Sequence, residues 1–96
     1  MTKNNTDDEI QLNDYRKVTL DFYKLILATI ELNFDKLKSG VSYKMENLCG
    51  KEFWSSLSSG DRKLAGMVAV HITKHGILDL EDAKQPHEYP KYYQLK

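Results

Sequence analysis

Cysteine is almost absent from this chain of 96 residues: Cys49 stands alone, so no internal disulfide can brace the fold. No apolar run approaches the roughly 18 to 20 residues needed to span a bilayer. The N-terminus, polar from Met1 to Asn13, shows no basic stretch leading into an apolar one. A soluble protein of cytoplasmic location, without a membrane partner, is therefore expected. Net charge is absent as well: 14 Lys and Arg balance 14 Asp and Glu, so an anionic partner would have to be attracted by a local patch. Glycine-rich phosphate loops are missing, because Gly40, Gly50, Gly60, Gly66 and Gly76 are scattered. The length excludes a two-lobed enzyme with an interdomain cleft. What is present is 41% hydrophobic and 29% charged residues, enough apolar material for a small core and enough charge for solubility.

Residues 1–14 carry Asp7, Asp8, Glu9 and Asp14 against Lys3 and read as a flexible acidic tail; residues 15–96 read as one folded domain. Between Tyr15 and Lys38 there is neither Gly nor Pro, Asn13 or Asp14 can cap, and Gly40 suits a helix stop, which predicts one long helix. Val41 to Met45 suits a brief strand. From Glu46 to Leu57 apolar residues recur at helical spacing, with Gly50 interrupting and possible division there into two pieces. Ser58-Ser59-Gly60-Asp61 reads as a tight turn with a capping box, opening a third helix that runs to His75 and stops at Gly76. That helix is expected to bury Leu64, Met67, Val68, His71 or Ile72, and His75; Gly66 within it suggests close approach by a neighbour. Ile77 to Leu80 and Tyr89 to Leu95 alternate as two strands, with Pro86 in the loop between them and Pro90 at an edge or strand start.

The expected class is thus mostly α (α+β): three helices closed by a C-terminal two-stranded hairpin. This order, with the turn Ser58-Ser59-Gly60, the stop at Gly76 and the last strand Tyr92-Tyr93-Gln94-Leu95, resembles a winged helix-turn-helix domain over residues 15–96. The resemblance implies a non-catalytic role in which the helix after the turn enters the major groove of double-stranded DNA, as in a transcriptional regulator. It also allows a protein–protein interaction module without DNA binding, since many members bind proteins.

Under the DNA reading, Arg62 and Thr73 approach bases and Ala69 touches a thymine methyl, while Lys44, Lys51, Lys63 and Lys74 hold phosphates. The hairpin loop is acidic and is expected to stay off DNA. The bland alternative is that the basic side chains are the solvated face of an amphipathic helix. The first helix carries two apolar stripes. Leu20, Tyr23, Leu27, Ile30, Phe34 and Leu37 form the one whose spacing suits a second helix, so a homodimer through it is expected; the alternative is that the domain wraps both stripes itself.

No catalytic constellation emerges. His71 and His75 lie four apart, but no Glu follows His71, and Cys49 and His87 are the only other soft or imidazole ligands, so neither a metal site nor a cofactor is expected. Cys49, without a basic cluster, reads as a small buried hydrophobe. Trp54 beside Phe53 reads as a core anchor, with a partly exposed interface residue as the alternative.

Overall fold

Thr19 is where the first helix begins. Its backbone is extended (φ −65°, ψ 148°) and its Oγ1 accepts a hydrogen bond of 3.2 Å from the amide of Phe22, which caps helix α1, Leu20–Phe34. The computed structural model describes residues 8–13, 15–83 and 92–96 of the chain. The expected start at Asn13 or Asp14 is corrected: Glu9–Asn13 forms strand β1 and Arg16–Thr19 strand β2, paired antiparallel with Ile10 opposite Val18. Asn13 does use its side chain on a backbone amide, but that of Tyr15 at 2.9 Å, which shapes the hairpin turn rather than a helix end. Of the stretch expected as a flexible tail, residues 9–13 are therefore strand; residues 1–7 and 14 lie outside the described part.

Helix α1 ends at Phe34 rather than Lys38, and Lys36 and Leu37 donate to the carbonyls of Asn33 and Phe34 in tight turns. Gly40 does take a positive φ of 81°, but in the loop beyond the helix. The brief strand expected over Val41 to Met45 reduces to a single bridge. Tyr43 and Tyr93 exchange both backbone hydrogen bonds, at 2.7 and 2.8 Å.

Gly50 divides the next segment into α2, Met45–Cys49, and α3, Lys51–Ser56, so four helices among the described residues replace the expected three. Its φ of 93° with ψ of 137° is backbone that L-residues avoid, which is why the break falls there. Ser58 caps α4, Ser59–Lys74, by accepting from the amide of Asp61 at 3.1 Å, and Gly76 ends the turn after it with φ 66°. Strands β3, Leu80–Asp82, and β4, Tyr93–Leu95, pair antiparallel with Glu81 opposite Gln94. The strand expected from Ile77 starts at Leu80 instead, while Tyr89, Pro90 and the rest of 84–91 lie outside the described residues. Tyr43 occupies the edge of β4 away from β3, so the hairpin is tied to the segment before α2.

The core lies where α1 crosses α4, with α2 packed on α1, β3 on α4 and β1 on both. Tyr23, Ile26 and Ile30 of α1 are buried with Leu48, Cys49, Val68, Ile72, Leu80 and Tyr93. This corrects the dimer assignment for part of its stripe: Tyr23 and Ile30 are interior, and Leu27, Phe34 and Leu37 are half-buried against the same core. The small domain wraps that stripe itself because α2, α4 and β2 all pack on one helix. The large apolar residues of α1 left in solvent are instead Leu25, 46% exposed, and Leu32, 80% exposed. In α4 the buried line is Ala65, Val68, Ala69 and Ile72: Val68 and Ile72 are buried as expected, but the helix is turned so that Ala65 and Ala69 complete the line in place of Leu64, Met67 and His75. Two alanines on that line present small side chains to the helix they pack against, and His75 is left exposed.

Candidate functional site

One side of α4 faces away from α1, and there the fold leaves a groove of about 770 Å³. Its apolar lining is drawn from several elements: Met45 at the start of α2, Trp54 in α3, and Met67 and Val70 of α4, with Tyr93 of β4. Each follows from local folding. Gly50 turns α3 so that Trp54 is half-buried rather than enclosed, and the rotation of α4 that buries Ala65 and Ala69 carries Met67 and Val70 to the open side. Gly66, between them, has open space where a Cβ would stand, so the close neighbour expected there is absent and the groove is deepened instead.

The charged lining is one-sided. Among the described residues, Arg16 of β2, Lys44 before α2, and Arg62 and Lys63 in the first turns of α4 surround the groove, against one carboxylate, that of Glu46. Lys44 and Lys63 are exposed. Arg62 is half-buried: its Nε donates to the carbonyl of Trp54 at 3.1 Å and its Nη2 to that of Ser55 at 3.3 Å. Those carbonyls belong to the last turn of α3, so the guanidinium caps that helix and fastens it to α4.

A second depression, of about 460 Å³, continues along α4 past Val70, which lines both. It holds Thr73, Lys74 and Lys96 together with Leu80, Glu81 and Asp82 of β3. The hydroxyl of Thr73 donates to the carbonyl of Val70 at 2.9 Å.

Of the residues picked out for DNA contact, the fold thus brings Lys44, Arg62 and Lys63 to one groove and Thr73 and Lys74 to its neighbour, while Lys51 is exposed on α3 and lines neither. Ala69, picked out for a thymine methyl, is 1% exposed and belongs to the core. Arg16, Glu46, Met67 and Tyr93 were not visible as lining residues from the sequence. Arg16 was hidden by its assignment to a helix, and the others are gathered from separate elements by packing. The partly exposed reading of Trp54 was the available signal.

On the opposite side of α4, the hydroxyl of Tyr23 lies 2.7 Å from Nδ1 of His71, whose ring is tilted against that of His75 at 4.1 Å between centroids. Burial first, and then the charges of His75 and Lys74, hold the His71 pKa below its ordinary value. Burial pushes the Cys49 thiol up to about 12, so the thiolate needed of a nucleophile is suppressed. Among the described residues, no three His, Cys, Asp or Glu side chains gather to hold a metal ion, and no helix is long and apolar enough to cross a membrane.

A family model described as a domain of unknown function (DUF1413) matches residues 28–94, from the middle of α1 to β4. No curated protein and no solved structure matches the chain.

Proposed function

We propose that this chain, which belongs to the DUF1413 family, is a non-catalytic binding module of winged-helix type that engages another protein through the open side of α4. Supporting the fold reading are the order α1, bridge, α2, α3, α4, β3, β4 and the pairing of β4 with both β3 and Tyr43. The observation that carries the functional reading is the groove between Trp54, Met67 and Val70, an apolar recess ringed by side chains from several elements. Apolar recesses with a few placed charges are where binding energy concentrates, because an anchor buried there leaves water while charges fix its orientation.

Double-stranded DNA is the second reading, favoured by Lys44 and Lys63 lining one groove and Lys74 following about three turns along the same helix. Three features weigh against it. Arg62 has its Nε and Nη2 engaged with α3 carbonyls, Ala69 is interior, and Glu46, Glu81 and Asp82 share the face on which phosphates would have to lie.

Panning a peptide display library against the full chain tests the protein reading, with Met67→Asp as counter-selection. Peptides that hold the native chain and release the variant are expected; failure to enrich any groove-dependent sequence overturns the reading. A parallel titration of labelled random duplex at low ionic strength is expected to give no binding at micromolar protein. Salt-dependent binding abolished by Lys44→Glu with Lys63→Glu would put DNA in its place.

A further inference from the structure

We infer that the occupant of the α4 groove is an acidic segment of a partner protein, carrying one large apolar anchor flanked by carboxylates. This rests on the reading of the groove as a protein-binding surface and specifies its partner. Among the described residues, the first depression sets four cationic side chains, Arg16, Lys44, Arg62 and Lys63, against Glu46. The second sets Lys74 and Lys96 against Glu81 and Asp82, so its charges cancel. In a chain whose total charge is zero, this concentration of cations at one end of α4 is a local property of the fold.

The apolar lining accounts for the anchor. Met45 and Met67 are flexible and polarizable, Trp54 offers part of its ring, and the missing side chain of Gly66 leaves room beside them. An isolated small anion would satisfy the cations and waste this surface; a basic or neutral segment would fill the recess and leave the cations unmatched. The two depressions share Val70 and together follow α4 from Arg62 to Lys74, about 18 Å along the helix axis. That length suits a run of chain more than a compact ligand. The charge difference between the two ends also sets polarity: the carboxylates of the partner lie toward Arg16, Lys44 and Lys63, and its uncharged part toward β3.

Fluorescence anisotropy with three synthetic peptides of equal length tests this on the full chain. One has a Phe anchor flanked by Asp and Glu, one has Asn and Gln in their place, and one has Lys and Arg. The acidic peptide is expected to bind roughly tenfold more tightly than the amide peptide at low ionic strength, and the advantage to shrink as salt is added. Lys44→Glu with Lys63→Glu should reverse the ranking in favour of the basic peptide. Gly66→Leu provides the steric control. The residue lies within a helix, has open space at its Cβ, and Leu is the better helix former, so the fold should persist by circular dichroism while all groove binding is lost.

Equal affinity for the three peptides, still abolished by Gly66→Leu, would overturn the acidic specificity and leave the binding module standing. Binding indifferent to Gly66→Leu, or none at all, would overturn the module as well. Displacement of the acidic peptide by octanoate at comparable concentration would make the occupant a small amphipathic anion and overturn the inferred partner class.

Discussion

Tyr23 on α1 and His71 on α4 are joined by a 2.7 Å contact between the phenolic oxygen and Nδ1, with the rings edge-on at 86°. Tyr23 is buried, and its hydroxyl donates to Nδ1 or accepts from it according to the tautomer of the imidazole. Protonating His71 would make Nδ1 the donor and the phenolic oxygen the acceptor, and would add charge beside His75 and Lys74, the groups that already depress its pKa after burial. The two main helices are thus joined at a histidine whose neutral form is favoured by burial and by its charged neighbours.

Stability is expected to fall on mild acidification because burial and the neighbouring charges disfavour the His71 cation in the fold. A histidine whose folded pKa lies below its unfolded value of about 6.5 binds fewer protons in the folded state, so stability is lost as pH drops from about 6.5 toward the lowered folded pKa. Urea midpoints measured from pH 7 downward should decline over that window, and His71→Gln should flatten the decline. A native chain as stable at pH 5 as at pH 7 would contradict the assignment.

Arg62→Ala is expected to cost about 1–2 kcal/mol, since two hydrogen bonds from a charged donor to the last turn of α3 are lost in a half-buried setting. Arg62→Lys should recover little of it, because one ammonium on a flexible stem does not reproduce the planar fork that reaches both Trp54 and Ser55. Chemical denaturation of the two variants checks both statements. Full stability of Arg62→Ala would reduce the clamp to a chance proximity.

Gly50→Ala should destabilise by about 1–3 kcal/mol through backbone strain at φ 93°, ψ 137°. Contact is not the cause, for an added Cβ would meet only Asn33 Nδ2, at an ordinary 3.9 Å. Gly66→Ala is the control: the same change in α4, at a helical position with open space, should be neutral or stabilising by up to about 1 kcal/mol. Thermal melts of the pair should therefore shift in opposite directions or differ clearly in size.

Cys49 is 3% exposed, with its thiol pushed up to about 12 by burial, so a thiol reagent at pH 8 should label the folded chain very slowly and the urea-unfolded chain at once. Prompt native labelling would show that α2 opens readily around it.

Some of the fold was legible before any packing was known, and the residues involved share a feature. Ser58 capping α4, Gly76 ending its last turn and Gly50 breaking α2 from α3 each act within a few residues of themselves. That a strand after α4 would pair with the C-terminal one was visible from alternation, but the strand placed at Ile77 to Leu80 shares only Leu80 with the observed Leu80–Asp82, whose other two residues read as loop. The first helix misled because the absence of Gly and Pro from Tyr15 to Lys38 only permits a helix. Arg16–Thr19 becomes a strand because Glu9–Asn13 is available to pair with it and Thr19 caps the helix that begins at Leu20.

The groove shows the other side of that division. Lys44, Arg62 and Lys63 could be named as cations, but no spacing said that Arg16 would join them or that Arg62 would turn its guanidinium on Trp54 and Ser55. Likewise the apolar residues of the first helix were plain, yet which of them would be enclosed, Tyr23, Ile26 and Ile30 rather than Leu25 and Leu32, depended on where α2 and α4 came to lie. Caps, breaks and alternation come from forces acting over one or two turns of chain, so the order of residues decides them. Rotation of a helix about its axis and the company a side chain keeps across elements are decided by burying the most apolar surface at once. That is why Ala65 and Ala69 face inward, Met67 and Val70 outward, and a basic apolar groove exists on a chain of zero net charge.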